Sequence, residues 1–241
     1  MEHAKHWEAP HPSPGTQPIS EPRSSYGAAN VPWSGYAVTS NQNNNDVYDN
    51  VSAQWIQPSV SADSNYPNSD YATAPCDAFW MGIGGQTGYR VVQAGVSSIS
   101  TNTAQYRFWT EDYPYNPIYE GPVIVPGQAA FVTVTYNGNG TANYVLENAS
   151  TDMYQSLNSA PYYDGSSAEF IVEKHVYPPR FSSESFSQAY VMYNNESGST
   201  TLWAQNSTKD VMTDTNGDTQ LYPGAINSNT DSFCENWVPS N

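Results

Sequence analysis

An all-β fold, an antiparallel sandwich, is predicted by three observations. Tyr, Thr, Ser, Asn, Val and Gly dominate the 241 residues, a composition of β proteins with polar outer faces and long loops. Short apolar or alternating segments recur between clusters of Gly, Asn, Ser and Pro. No heptad and no long 3.6-residue period appears, so helix content is expected to be small.

The elements follow in order. Residues 1–25 hold five prolines and no periodicity, and read as a disordered tail or propeptide remnant. His3, His6 and His11 lie there, in no zinc spacing, so no metal site is expected. From Tyr26 to Asn241 no repeat or composition shift divides the chain, and one domain over 26–241 is expected. Its predicted strands are 35–39, 51–56, 78–83, 90–96, 105–110, 129–136, 142–147, 168–173, 187–193 and 201–204. The strongest local signal is the alternating run from Phe131 to Tyr136. An Asn-Gly-Asn-Gly turn and a second strand follow it, a hairpin in which Asn and Gly supply positive φ. The Asn-rich stretch 41–50 and the polar excursion 59–75 are expected as surface loops.

Charge narrows the function. There are 23 acidic residues against 7 Lys and Arg, a formal net charge of −16. Lys5 and Arg23 fall in the tail, so no basic patch can be assembled, and nucleic acid is excluded as a partner. The same scarcity suits acid. Once carboxylates are neutralised at low pH, a chain with few cations escapes the positive self-repulsion that helps unfold most proteins. No apolar run is long enough to span a membrane, and Met1 to Ser20 lacks the apolar core of a signal peptide. Cys76 and Cys234 lie far apart, in no metal spacing, leaving either one long-range disulfide or two free thiols.

HExxH, GxSxG and phosphate-binding glycine loops are all missing. The segment Asp214-Thr-Asn-Gly-Asp218 has the wrong spacing for a calcium loop and reads as an acidic turn. Chemistry is more legible in Ala168-Glu-Phe-Ile-Val-Glu173. Side chains alternate along a strand, so Glu169, Ile171 and Glu173 share one face while Ala168, Phe170 and Val172 share an apolar one. In Val91-Val-Gln-Ala-Gly95, Gln93 follows a pair of valines. A carboxylate and a carboxamide facing one cleft can activate a water and hold an oxyanion.

Six segments, in order, resemble one family, the glutamic peptidases or eqolisins. Val31-Pro-Trp-Ser-Gly-Tyr36 is similar to that family's Asn-Trp-Ala-Gly-Tyr strand, and Val51-Ser-Ala-Gln-Trp-Ile-Gln-Pro-Ser-Val60 to its Val-x-Gly-x-Phe-x-Val-Pro-Ser strand. Phe79-Trp-Met-Gly-Ile-Gly-Gly85 resembles Ala-Trp-Val-Gly-Ile-Asp-Gly, and Val92-Gln-Ala-Gly-Val96 resembles Leu-Gln-Thr-Gly-Val. Phe108-Trp-Thr-Glu-Asp-Tyr-Pro114 resembles Ala-Trp-Tyr-Glu-Trp-Tyr-Pro, and Ala168–Glu173 resembles Ala-Glu-Trp-Ile-Val-Glu. The resemblance implies a concanavalin-like sandwich of two large bent sheets. It implies Glu173 and Gln93 as the catalytic pair, and Trp80, Glu111 and Tyr113 as substrate-binding residues. Gly84 and Arg107 stand where better-known members carry Asp, and Asp112 replaces a Trp.

The implied activity is a secreted, acid-acting, pepstatin-insensitive endopeptidase, monomeric and cofactor-free, acting on proteins or peptides away from membranes. A carboxylate base, with an ordinary pKa near about 4.3, suits acid on independent grounds. The alternatives are a sandwich that binds carbohydrate or protein without catalysis, using Trp80, Trp109, Tyr113 and Tyr115, and a glycosidase with Glu169 or Glu111 as its second acid. On one strand Glu169 and Glu173 lie about 13–14 Å apart by strand rise, too far for the usual glycosidase pair.

Overall fold

The computed structural model describes residues 31–39, 47–61, 75–86, 90–115, 117–148, 152–161, 163–175, 181, 184–193, 200–202 and 207–238. The predicted tail, residues 1–25, lies outside them. Sixteen strands run through the described chain: β1 (Trp33–Thr39), β2 (Tyr48–Ile56), β3 (Cys76–Gly84), β4 (Val91–Ile99), β5 (Gln105–Tyr113), β6 (Ile118–Tyr119), β7 (Ala129–Tyr136) and β8 (Thr141–Asn148). The rest are β9 (Asp152–Ser159), β10 (Ser167–Lys174), β11 (Glu184–Tyr193), β12 (Thr200–Thr201), β13 (Ser207–Asp210), β14 (Met212–Thr213), β15 (Thr219–Pro223) and β16 (Phe233–Trp237).

They form two antiparallel sheets, as the composition predicts. One has seven strands in the order β13-β1-β10-β3-β4-β5-β6. The other has nine, in the order β14-β15-β16-β11-β2-β7-β8-β9, with β12 on β11. All ten predicted strands have a counterpart, although the last ends at Thr201 and its 203–204 portion lies outside the described residues. The predicted hairpin is β7–β8, closed with Tyr136 opposite Ala142 and with Gly138 and Gly140 at positive φ. Two expectations need correction. The 41–50 stretch is not loop to its end, because Tyr48, Asp49 and Asn50 already pair in β2. Six strands, β6, β9 and β13 to β16, were absent from the prediction; they carry no clean apolar alternation.

The core lies between the sheets. From the seven-stranded sheet it takes Tyr36, Val38, Phe79, Met81, Ile83, Val92, Ala94, Val96, Phe108, Phe170 and Val172. From the other it takes Val51, Ala53, Trp55, Val132, Val134, Tyr144, Leu146 and Phe186. Burial of such side chains contributes about 1.5–3 kcal/mol each and sets which face of each strand points inward. The opposite face of the seven-stranded sheet is therefore fixed too. It carries a second, smaller cluster of Trp33, Ala78, Trp80, Val91, Trp109 and Ile171, with Tyr113 and Tyr119 packed against it.

Gly95 lets this second face close up. A Cβ there would lie 2.1 Å from the Phe79 carbonyl oxygen and 2.7 Å from Trp80 Cβ. Gly95→Ala is expected to destabilise the protein by about 3 kcal/mol through overpacking, read as a lower urea midpoint at unchanged m.

Candidate active site

Alternation and register together lay out the second face. Along one row, hydrogen-bonded strands bring Ala37, Glu169, Gly82, Gln93 and Glu111 side by side. Two residues along each strand, the next row is Gly35, Ile171, Trp80, Gly95 and Trp109. The row beyond it is Trp33, Glu173, Ala78, Ser97 and Arg107. Trp80 thus stands on the central strand β3, midway in register between Glu173 and Gln93.

Two hydrogen-bonded pairs result. Trp80 Nε1 donates to Glu173 Oε2 at 3.0 Å, and Gln93 Nε2 donates to Glu111 Oε2 at 2.5 Å. The second pair fixes the amide: its nitrogen faces the Glu111 carboxylate, and one Nε2 hydrogen is left to donate elsewhere. Trp33 meets the Trp80 ring edge-on, centroids 5.1 Å apart and planes at 79°, and so holds the indole in place. Glu173 and Gln93 are each 1 % exposed and Glu111 is 2 % exposed. Buried polar groups demand partners, so their presence here is a feature of chemistry rather than of solubility.

Glu169 shares this face but plays another part. It is fully buried, and burial pushes its carboxyl well above the ordinary range, favouring the neutral acid. Its Oε1 accepts from the Gln86 backbone N–H at 3.1 Å, while Gln86 Nε2 donates to Asp210 Oδ1 at 3.4 Å. Gln86, in the chain after β3, therefore ties Glu169 on β10 to Asp210 on β13. A carboxyl tied to the Gln86 backbone, and four residues from Glu173 along the same strand, is not placed to pair with Glu173 across a glycosidic bond.

Cys76 also points to this face, one alternation step before Ala78. It is a free thiol, as is the exposed Cys234, so the two do not pair. Burial, then the nearby Asp77 and Glu173, push the Cys76 thiol up, which disfavours the thiolate that nucleophilic catalysis requires. The Asp214 segment is the acidic turn expected from its spacing: Asp214 Oδ1 accepts from the backbone N–H of Asn216 at 2.8 Å and of Asp218 at 2.9 Å. No group of three or more His, Cys, Asp or Glu suited to a metal occurs among the described residues.

The structure puts all five residues singled out by the motifs on one sheet. Glu173 and Trp80 are paired, and Gln93 and Glu111 are paired. Tyr113, half-buried at the end of β5, lies opposite Val91 and packs on the same cluster. Of the other aromatics, Trp109 is buried in that cluster and Tyr115 is exposed. Sequence reasoning passed over Trp33 and Ser97. Ser97 was within reach of it, since a period of two from Gln93 leads through Gly95 to Ser97.

Solved structures share the fold. A crystal structure of scytalido-glutamic peptidase with a transition state analog inhibitor is similar, at TM-score 0.72 and 20% identity over 88% of this chain and 100% of that one. SCP-B, a member of the eqolisin family in a complex with the tripeptide Ala-Ile-His, matches at TM-score 0.66 and 19% identity over 88% and 100%. The aspergilloglutamic peptidase from Aspergillus niger matches at TM-score 0.57 and 23% identity over 68% and 99%. No protein with a curated description matches the chain. The model of the Peptidase A4 family matches residues 31–222, most of the chain. The chain therefore belongs to the Peptidase A4 family, the glutamic peptidases its motifs resemble, and is a peptide hydrolase.

Proposed function

We propose that the chain is an acid-acting endopeptidase whose catalytic pair is Glu173 and Gln93. The observation that carries this reading is the two oriented pairs, Glu173 with Trp80 and Gln93 with Glu111, buried on one face of one sheet. Ionised Glu173 removes a proton from water, and the water oxygen bonds to the scissile carbonyl carbon. The Nε2 hydrogen of Gln93 not held by Glu111 donates to the oxyanion that forms. Protonated Glu173 returns its proton to the amide nitrogen as the C–N bond breaks, which regenerates the carboxylate. Trp80 and Glu111 orient the two acting groups, and Tyr113 lines the cleft that receives the peptide.

Acid action follows from the base. A carboxylate works as a base only above its own pKa, ordinarily about 4.3, and as the returning acid it is most effective near that pH. The cation-poor composition and the preference of buried acids for neutrality favour the same range. Residues 26–241 form the catalytic domain, which acts outside the cell as a monomer on protein or peptide substrates and requires no cofactor. The test is cleavage of denatured casein across acid to neutral pH with pepstatin present. Cleavage peaking in acid and unaffected by pepstatin supports the reading. A folded protein that cleaves nothing at any pH rules it out.

Glu111 gives a second test. Glu111→Ala frees the Gln93 amide to rotate and leaves it without its partner, a loss of about 1–3 kcal/mol. The expected result is a kcat about tenfold or more lower with KM little changed, measured by steady-state kinetics on a peptide substrate.

A further inference from the structure

We infer that Arg107 and Ser97 form a subsite for an acidic side chain of the substrate, beside the catalytic pair. The inference rests on the peptidase reading above. Four observations lead to it.

Arg107 is exposed, and alternation puts it on the face that carries Trp109 and Glu111, because Tyr106 and Phe108 pack on the core. Register puts it in the row of Glu173, through Ala78 and Ser97. These two small residues floor the space between the carboxylate and the guanidinium. Ser97 Oγ is buried and has no hydrogen-bond partner among the described residues, so the floor holds a polar group that a bound molecule can pair.

The fourth observation is charge. Among the described Lys and Arg residues, Arg107 is the one on this face. Lys174 turns to the opposite side, where its Nζ donates to the Thr213 carbonyl and Gln220 Oε1. Lys209 pairs with Tyr36 in register and donates to the Pro223 carbonyl at 3.0 Å. Arg90, before β4, acts on Asp112, which alternates with Glu111 onto the other side of β5. A single planar cation on an otherwise acidic face selects for a carboxylate, which its fork of N–H donors matches.

Distance sets the position. Three strand spacings separate the Cα atoms of Glu173 and Arg107, about 14 Å, or about four residues of extended peptide. The reach of the arginine side chain shortens this, so the selected residue lies about two to four positions from the scissile bond.

The experiment compares kcat/KM for paired peptides that differ only in Glu against Gln at each of those positions. The wild-type chain, Arg107→Ala, Arg107→Glu and Ser97→Ala are assayed from about pH 3 to 5.5, spanning the ordinary glutamic acid pKa near about 4.3. At one position the wild-type Glu/Gln ratio is expected to climb with pH to about 5, the size of a solvent-accessible charge-assisted contact. It is expected to fall to about 1 in Arg107→Ala, below 1 in Arg107→Glu, and partway in Ser97→Ala. A merely structural Arg107 would not couple the ratio to ionisation of the peptide. Cleavage with the same ratio in wild type and variants overturns the subsite while leaving the peptidase reading intact. No cleavage of casein or of any peptide overturns both.

Discussion

Glu173→Gln is expected to abolish casein cleavage, with kcat/KM falling about 10³-fold or more. The replacement keeps shape and the capacity to accept from Trp80 Nε1, so folding should survive. In the proposed mechanism it removes the group that takes and returns the proton, and proton transfer by a positioned base is worth about 10²–10⁴-fold. Gln93→Ala removes the proposed oxyanion donor instead, and should lower kcat about 10²–10³-fold with a smaller effect on KM. Because the two groups act in one step, the double variant should be little worse than Glu173→Gln alone. Near-ultraviolet circular dichroism would establish that each variant is folded, since Trp33, Trp80 and Trp109 report on this face. Retention of a tenth of wild-type activity by folded Glu173→Gln would end its assignment as the base.

Stability is expected to fall steeply as pH rises from about 4 to about 8. Burial pushes Asp77 up to about 8, and pushes Glu235 up to about 8 against the hydrogen bond that Ser34 Oγ donates to it at 2.5 Å. Burial lifts Asp112 to about 6, and lifts Glu169 well above its ordinary range. An unfolded chain releases these protons near about 4. Between that pH and the folded values the native state holds more protons, so each pH unit gained costs stability. The contribution is complete below about 4 and is lost as pH passes the folded values.

Each unit of separation is worth about 1.4 kcal/mol per group, and Asp77 and Glu235 are fully buried, so the combined loss is on the order of several kcal/mol or more. Lys174, depressed to about 8 by burial, has the opposite sign. Its folded form sheds a proton first, which favours the native state only as pH rises above about 8. Urea midpoints at pH 4, 6 and 8 would test this, with Asp77→Asn and Glu235→Gln expected to flatten the decline. A midpoint that is level or rises from pH 4 to 8 would refute it.

Several features were readable one residue at a time. The inward faces of β3, β4 and β10 follow from period-two alternation, because one-face burial and the pleat admit a single choice. The β7–β8 hairpin follows from its turn, where glycines supply the positive φ that other residues avoid. The motifs around Trp80, Gln93, Glu111 and Glu173 carried the family resemblance without any knowledge of contacts.

Strands β13 to β16 were not readable, since short polar segments become strands only when a neighbour's edge offers hydrogen bonds. The pairing within the site was hidden for a related reason. Trp80 and Glu173 are 93 residues apart, and Gln93 and Glu111 are 18 apart. Alternation can say that each faces the same side of its strand, but strand order and register decide which side chains meet. Those depend on how the two sheets bury their common core. The sequence by itself therefore determined which faces carry polar groups, and only the tertiary structure decided that Trp80 pairs with Glu173, that Glu111 pairs with Gln93, and that Arg107 stands in the same row as the carboxylate.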